Sequence, residues 1–281
     1  MPCSRNNRHL IIGLIAIIAM AAVIILASNY LPRGIDWSET FRPAGLAVLR
    51  GKSPYSIDGF LYAPWAILPI IPFAWLPEAI GRTAFLFTSL FAFGYVAYKL
   101  GASTLSLAFF LVSPPILHCL LNANIDWLPL LGFVLPPQIG LFFVIIKPQI
   151  GIGVVLYWLF DTMRRGGLRE TVRVFMPVSI ALLASFALFG FWPTRFSAPI
   201  TYWWNASLWP ASLPVGLVLI TASIRRSKIE FAMAASPCLS PYVLLHSWSG
   251  ALVALAKLTP EMVVAVIGLW IVVIMKFIGA A

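Results

Sequence analysis

The chain has 281 residues, of which 61% are hydrophobic and only 10% charged, and its mean hydropathy is +0.95. These values lie outside the range of soluble globular domains and exclude a water-soluble enzyme or binding module. The formal net charge of +10 does not point to nucleic acid, because the basic residues fall in short clusters between apolar runs rather than along one face with interleaved aromatics.

A helix needs roughly 20 apolar residues to cross about 30 Å of hydrocarbon, and shorter ones fit inside a bundle. The expected architecture is therefore an all-α polytopic membrane protein of about nine to eleven transmembrane or re-entrant helices, with residues 1–281 forming a single integral membrane domain. The three cysteines, Cys3, Cys119 and Cys238, show no C-x-x-C spacing and read as packing residues, not as a disulfide framework or a zinc site.

In chain order, Arg5 and Arg8 precede an apolar run over 10–27 that is longer than the core of a cleavable signal peptide. It reads as a first transmembrane helix with a cytoplasmic N-terminus. Residues 30–82 read as a first external loop carrying interfacial helices. Within it, 63–77 is apolar but interrupted by Pro64, Pro69, Pro72 and Pro77, which favours a broken or re-entrant structure over a straight span. If that stretch does not cross, spans near 83–99, 103–120, 127–137, 139–146, 149–162, 172–191, 211–224, 229–245, 248–257 and 261–278 alternate in direction. Lys99, Arg164, Arg165, Arg169, Arg173, Arg225, Arg226, Lys228 and Lys257 then all lie in the cytoplasm, satisfying the positive-inside rule at every short loop. If it does cross, the basic loops stay inside only when one short segment near 127–146 is dropped. Segments that short cannot span alone, and a broken pair buried among other helices usually lines a cavity.

Several polar residues stand where apolar runs end. Asp36 lies just beyond the first span, where a carboxylate can take a proton from an incoming hydroxyl. It can equally cap a short interfacial helix starting near Trp37, with Glu39 completing a capping box and Trp37, Phe41, Leu46 and Leu49 facing lipid. Asn122, Asn124 and Asp126 cluster between two apolar segments, on the same outer face as Asp36; Asp126 is either functional or the N-cap of the next segment. Lys147, also between two apolar runs, needs an anionic partner such as a lipid phosphate, unless it snorkels to the interface. Trp203, Trp204, Asn205 and Trp209 form an outer loop able to stack on sugars and bind hydroxyls, or an ordinary aromatic belt. Asn205-Ala206-Ser207 matches the short N-glycosylation pattern. His246 can donate to a phosphate or simply be packed.

Two motifs fail. Gly51-Lys52-Ser53 resembles the end of a P-loop, but Leu46 stands where the first glycine belongs and no strand precedes it. His118, Cys119 and His246 with Asp36 lack helical metal-ligand spacing, so no metal or other cofactor is expected.

At Asp36, Arg42-Pro43-Ala44, Leu49-Arg50-Gly51-Lys52-Ser53-Pro54-Tyr55 and Tyr62-Ala63-Pro64-Trp65 the chain resembles glycosyltransferase family 87. Ser113-Pro114-Pro115, Asn124-Ile125-Asp126, Lys147-Pro148-Gln149, Asn205-Ala206-Ser207-Leu208 and Ser240-Pro241-Tyr242 follow in that family's order. The resemblance runs from about residue 34 to residue 246 and is most specific in the first loop. It departs at Ala123, where a glycine is expected before Asn124, and at Pro136-Pro137-Gln138, where a basic loop is expected; the chain is also shorter than usual for the family.

The resemblance implies a mannosyltransferase-like enzyme of the C-type glycosyltransferase fold in the plasma membrane, without a cofactor. Its partners would be a polyprenyl-phosphate sugar donor, a glycan or glycolipid acceptor and the surrounding lipids, and not nucleic acid. The catalytic acidic residue maps to Asp36. Lys147, Arg42, Arg50 and His246 are the donor phosphate-binding candidates, and Asn124, Asp126, Gln149, Trp204, Asn205 and Tyr55 the acceptor or sugar-binding ones. The rival readings are a transporter or flippase for a lipid-linked sugar, which would need no base, and a catalytically silent scaffold of the same fold.

Overall fold

A computed structural model describes residues 4–195 and 205–279 of the chain, and among them every regular element is helical. Helix α1 (Ser4–Ala27) is followed by the first loop. There a π-helical turn, Trp37–Phe41, runs into α2 (Arg42–Leu49), and 3₁₀ turns at Pro54–Ser56 and Pro64–Ile67 lead to α3 (Ile71–Ala74). The proline-rich stretch is thus two short pieces, because Pro64 and Pro72 each open a new helical turn and lack the N–H that would continue the previous one.

Helix α4 (Glu78–Lys99) comes next, then α5 (Thr104–Leu111) and α6 (Pro114–Asn122), which are bent 50° to each other at Ser113-Pro114-Pro115. The short α7 (Trp127–Gly132) and α8 (Pro137–Val144) pack on each other and on α9 (Pro148–Phe189). Helices α10 (Leu213–Arg226), α11 (Ile229–Cys238), α12 (Ser249–Val253) and α13 (Thr259–Phe277) complete the described chain.

Helix α9 is not one rod. At Gly167 the backbone takes φ 63° and ψ −157°, and the hydroxyls of Thr162 and Thr171 lie 3.2 Å apart. In a straight helix their α-carbons would be separated by about 13.5 Å, so the chain folds back on itself here. A glycine provides this positive φ without steric cost. The two arms correspond to the segments expected near 149–162 and 172–191, with Arg164, Arg165, Arg169 and Arg173 around the turn.

By length and composition, three helices suffice to cross a membrane: α4, α9 and α13. The bent α5–α6 pair makes a fourth if taken as one span. The apolar part of α1, Ile12–Ala27, is shorter than that criterion. The expected count of nine to eleven membrane segments is not established by these helices, because α7, α8, α11 and α12 have only five to ten residues each.

Large apolar side chains cover much of the surface, and a few charged ones are buried within an apolar core. Ile12, Leu14, Ile17 and Leu26 on α1, Leu183 and Leu188 on α9, and Val264 and Ile271 on α13 are all more than half exposed. Arg82, Asp126, Lys147 and His246 are all at most 2% exposed. An apolar exterior with ionisable residues turned inward is the arrangement expected where hydrocarbon is the solvent.

The first loop is anchored to the bundle by aromatic packing. The Trp37 ring lies 5.5 Å from Phe85 on α4, Phe85 lies 5.8 Å from Trp127 on α7, and Phe41 lies 5.4 Å from Tyr62. Trp37 and Phe41 are fully buried, which corrects the expectation that they face lipid; only Leu49 of that set is largely exposed. The reason is that α2 packs against α3 and the loop lies over the bundle, so its aromatic face turns inward.

Candidate functional site

The site is assembled around the end of α6. Helix α6 closes with Ala123 in the left-handed conformation, φ 55° and ψ 49°, the Asn124 N–H donating to the Cys119 carbonyl at 3.0 Å and the Ala123 N–H to that of Leu120 at 3.2 Å. This is a Schellman ending, which satisfies the last carbonyls of α6 and turns the chain sharply. The left-handed residue is why a glycine would suit position 123, since a side chain there costs about 1–2 kcal/mol. Gly34 sits against this turn: a Cβ at Gly34 would lie 3.1 Å from the Asn122 carbonyl oxygen. Two segments remote in sequence, 34–36 and 122–126, therefore come face to face.

Across that contact the side-chain amide of Asn124 donates to Asp36 Oδ2 at 2.6 Å. The Asn124 Oδ1 accepts both the Ile125 N–H at 2.7 Å and the Lys147 ammonium at 2.7 Å. Those two donors determine which end of the amide faces Asp36. With Oδ1 held by an N–H and an ammonium, only the NH₂ can point toward the carboxylate.

Lys147 also pairs with Asp126 Oδ1, and the other oxygen of Asp126 meets His246 Nδ1 at 2.5 Å. The His246 ring stacks on His118 at 5.4 Å. Asp36, Asn124, Lys147, Asp126 and His246 thus form one continuous polar chain from the first loop into the interior. Its inner members are sealed: Asn124, Lys147 and His246 are each 1% exposed and Asp126 is 0% exposed.

Asp36 stands at the open end, half-buried. It does not serve as a helix cap. Its own backbone is helical, φ −64° and ψ −32°, and its side chain makes no capping bond, so the carboxylate points to Asn124, with Oδ1 unpartnered among the described residues. Asp126 is likewise no cap, because both of its oxygens are engaged by Lys147 and His246. Lys147 does not snorkel, since its ammonium lies 5.7 Å from the Tyr62 ring and is enclosed by its partners. The Tyr62 phenol is pushed up to about 12, mainly by burial, with the Lys147 charge opposing, so it remains a protonated group beside the ammonium.

The other residues expected at the site are placed differently. Arg42 turns to Glu78, 3.9 Å away, and Arg50 is exposed on the first loop. Tyr55 is buried; its hydroxyl donates to the Tyr62 carbonyl at 2.8 Å, and the Arg195 guanidinium lies 5.3 Å from its ring. It supports the loop rather than lining the polar chain. Gln149 is half-buried in the first turn of α9. Asn205 stitches two loops together, its amide donating to the Pro241 carbonyl at 3.0 Å and its Oδ1 accepting from the Ser207 and Val243 N–H groups. Trp204, with Trp203, lies outside the described residues.

Two participants, Tyr62 and His118, stand in the sequence only as part of the family resemblance and of the rejected metal set, with no role at this site. Tyr62 covers the ammonium, a contact that its place directly before the proline-broken stretch does not indicate. His118 lies four residues before Asn122 and is hydrogen-bonded to it, its carbonyl accepting from the Asn122 amide at 2.9 Å; that spacing was the available clue. Compared with known proteins, the chain matches no family model, no curated protein and no solved structure.

Proposed function

We propose that the protein is a polytopic membrane glycosyltransferase of the plasma membrane. It would move a sugar, mannose by its resemblance, from a polyprenyl-phosphate donor to an acceptor hydroxyl on the outer face. In this reading the membrane-embedded segments number about nine to eleven, the short helices α7, α8, α11 and α12 being held among longer ones, and the N-terminus is cytoplasmic. The observation that carries it is the state of Asp36: a half-buried carboxylate freed from capping, oriented through one oxygen by Asn124, with the other oxygen unengaged.

Such a carboxylate can accept the proton of an acceptor hydroxyl as its oxygen attacks the anomeric carbon of the donor. The carbon–oxygen bond to the acceptor forms while the bond to the lipid phosphate breaks on the opposite face. The phosphate leaves with the electron pair, and the proton remains on Asp36. Asn124 is a positioning residue that keeps the carboxylate aimed. Lys147 acts through Asn124 by holding its amide in one orientation, in place of the phosphate-binding role the sequence suggested, because its ammonium is enclosed by Asn124, Asp126 and Tyr62.

The test is transfer of radiolabelled mannose from polyprenyl-phosphate mannose into membrane products by the purified protein. Replacing the only unengaged carboxylate oxygen of this site by an amide, Asp36→Asn, is expected to lower transfer by at least about 10²-fold with folding and donor binding retained. Equal transfer by both proteins removes Asp36 from the mechanism. Donor binding without transfer by either, for any sugar tried, favours a carrier for the lipid-linked sugar.

A further inference from the structure

Between the end of α1 and the start of α4 lies a crevice of about 140 Å³. By the same measure one water needs only about 10–15 Å³, so there is room for a small group with ordered water. Ser28, Leu31, Pro32, Arg33, Glu78 and Arg82 line it.

Arg82 is the unusual member. It is 2% exposed, and its Nη2 donates to the Leu120 and Leu121 carbonyls at 3.3 and 3.0 Å. Its Nε and Nη1 have no partner among the described residues. The carboxylate one helical turn earlier, Glu78, is engaged elsewhere, 2.8 Å from Arg33 and 3.9 Å from Arg42. Two guanidinium groups therefore share this carboxylate, and the third, buried one of Arg82 has only neutral carbonyls. A buried charge without a counter-ion is expensive, and a buried arginine with open N–H donors is a planar fork suited to phosphate.

The surroundings indicate where that phosphate comes from. The crevice opens where the apolar run of α1 ends and α4 begins, the depth at which lipid headgroups meet the hydrocarbon. Ile25 and Leu26 just before it are 53% and 65% exposed, a wall on which acyl chains can lie, while the Arg33 side chain is 79% exposed at the mouth.

We propose that this crevice binds the phosphate group of a membrane phospholipid, with Arg82 at its base and Arg33 at its mouth. Glu78 competes with the phosphate for Arg33 and limits the affinity. Its lining shares no residue with the polar chain of Asp36, and the proposal holds whether or not Asp36 is a base.

The experiment is native mass spectrometry of the full chain in detergent, challenged in turn with phosphatidylglycerol, a galactosyl diacylglycerol of matched chains and inorganic phosphate. Retention of phosphatidylglycerol, and of neither other probe, is expected. Arg82→Gln should lower that retention by at least about tenfold, the value of one charge-assisted hydrogen bond, and Arg33→Gln should lower it less. Glu78→Gln should raise retention, whereas a purely structural role for the Arg33–Glu78 pair predicts no gain; this variant and Arg33→Gln decide the matter if Arg82→Gln does not fold. Equal retention of the galactolipid, retention of inorganic phosphate alone, or no change in the Arg33 and Glu78 variants would overturn the proposal.

Discussion

Lys147 illustrates how much one buried side chain can hold in place. Its ammonium neutralises Asp126, orients Asn124 and faces the Tyr62 ring. Removing one partner of a buried ion pair leaves the other uncompensated, at a cost of about 3–5 kcal/mol. Lys147→Met is therefore expected to lower thermal stability in detergent sharply, and adding Asp126→Asn should recover most of the loss. Ala123 makes a gentler test of the same region. It occupies a left-handed conformation at the end of α6, so Ala123→Gly is expected to stabilise by roughly 0.5–1 kcal/mol, the relief of strain exceeding the added chain entropy, read as a rise in the melting midpoint. The sequence placed Asp36, Asn124, Asp126, Lys147 and His246 in view as polar residues at the ends of apolar runs. It could not assign their partners, because hydrogen bonds between residues 88 apart, as for Asn124 and Asp36, leave no trace in local spacing.

Among the elements, close helix contacts rest on glycine. A Cβ at Gly153 on α9 would lie 2.2 Å from the Ala232 carbonyl oxygen on α11, so the two backbones touch there. This is how membrane helices associate when lipid removes the hydrophobic drive between them. Gly153→Ala is expected to destabilise by about 1–3 kcal/mol through overpacking, while Gly94→Ala, which meets nothing within 4 Å, should be neutral or slightly stabilising; parallel thermal melts compare the two. The turn at Gly167 was foreseen as the boundary between two segments with basic residues around it. The helix ends at 122 and 144 lie within a few residues of the expected limits, but the span expected over 103–120 is broken at 111, where Ser113-Pro114-Pro115 starts a new helix, and the segment expected to reach 137 ends at 132. The caps proposed for Asp36 and Asp126 were not what the chain adopts. Spacing shows that a carboxylate can cap, but not that an amide or an ammonium from another helix will claim it first.

For the whole molecule, the prediction concerns orientation. In the proposed orientation, with the proline-broken stretch on the outer side and α9 folded back at Gly167, the exposed Arg169 is expected in the cytoplasm and the exposed Asp58 outside. In a chain freed of its native cysteines, Arg169→Cys should react with an impermeant maleimide only in inverted vesicles, and Asp58→Cys only in intact cells. Labelling of both from the same side would mean an even number of crossings between them, as when residues 63–77 also cross; the reverse pattern would mean that the whole chain is inverted.

The sequence by itself determined the apolar, membrane-suited character of this protein, its all-helical class, several of its proline-set helix starts and the pool of polar residues from which a site is drawn. Composition and proline placement act locally, or through the bilayer, and need no long-range contact to be read. Only the tertiary structure decided that Asp36 is held by Asn124 instead of capping a helix, that Lys147 is spent on Asp126 and Asn124, and that Arg82 lies beside a crevice without a counter-ion among the described residues. Each of these is a competition among several buried groups for the same few partners, and its outcome depends on which elements are brought together in space.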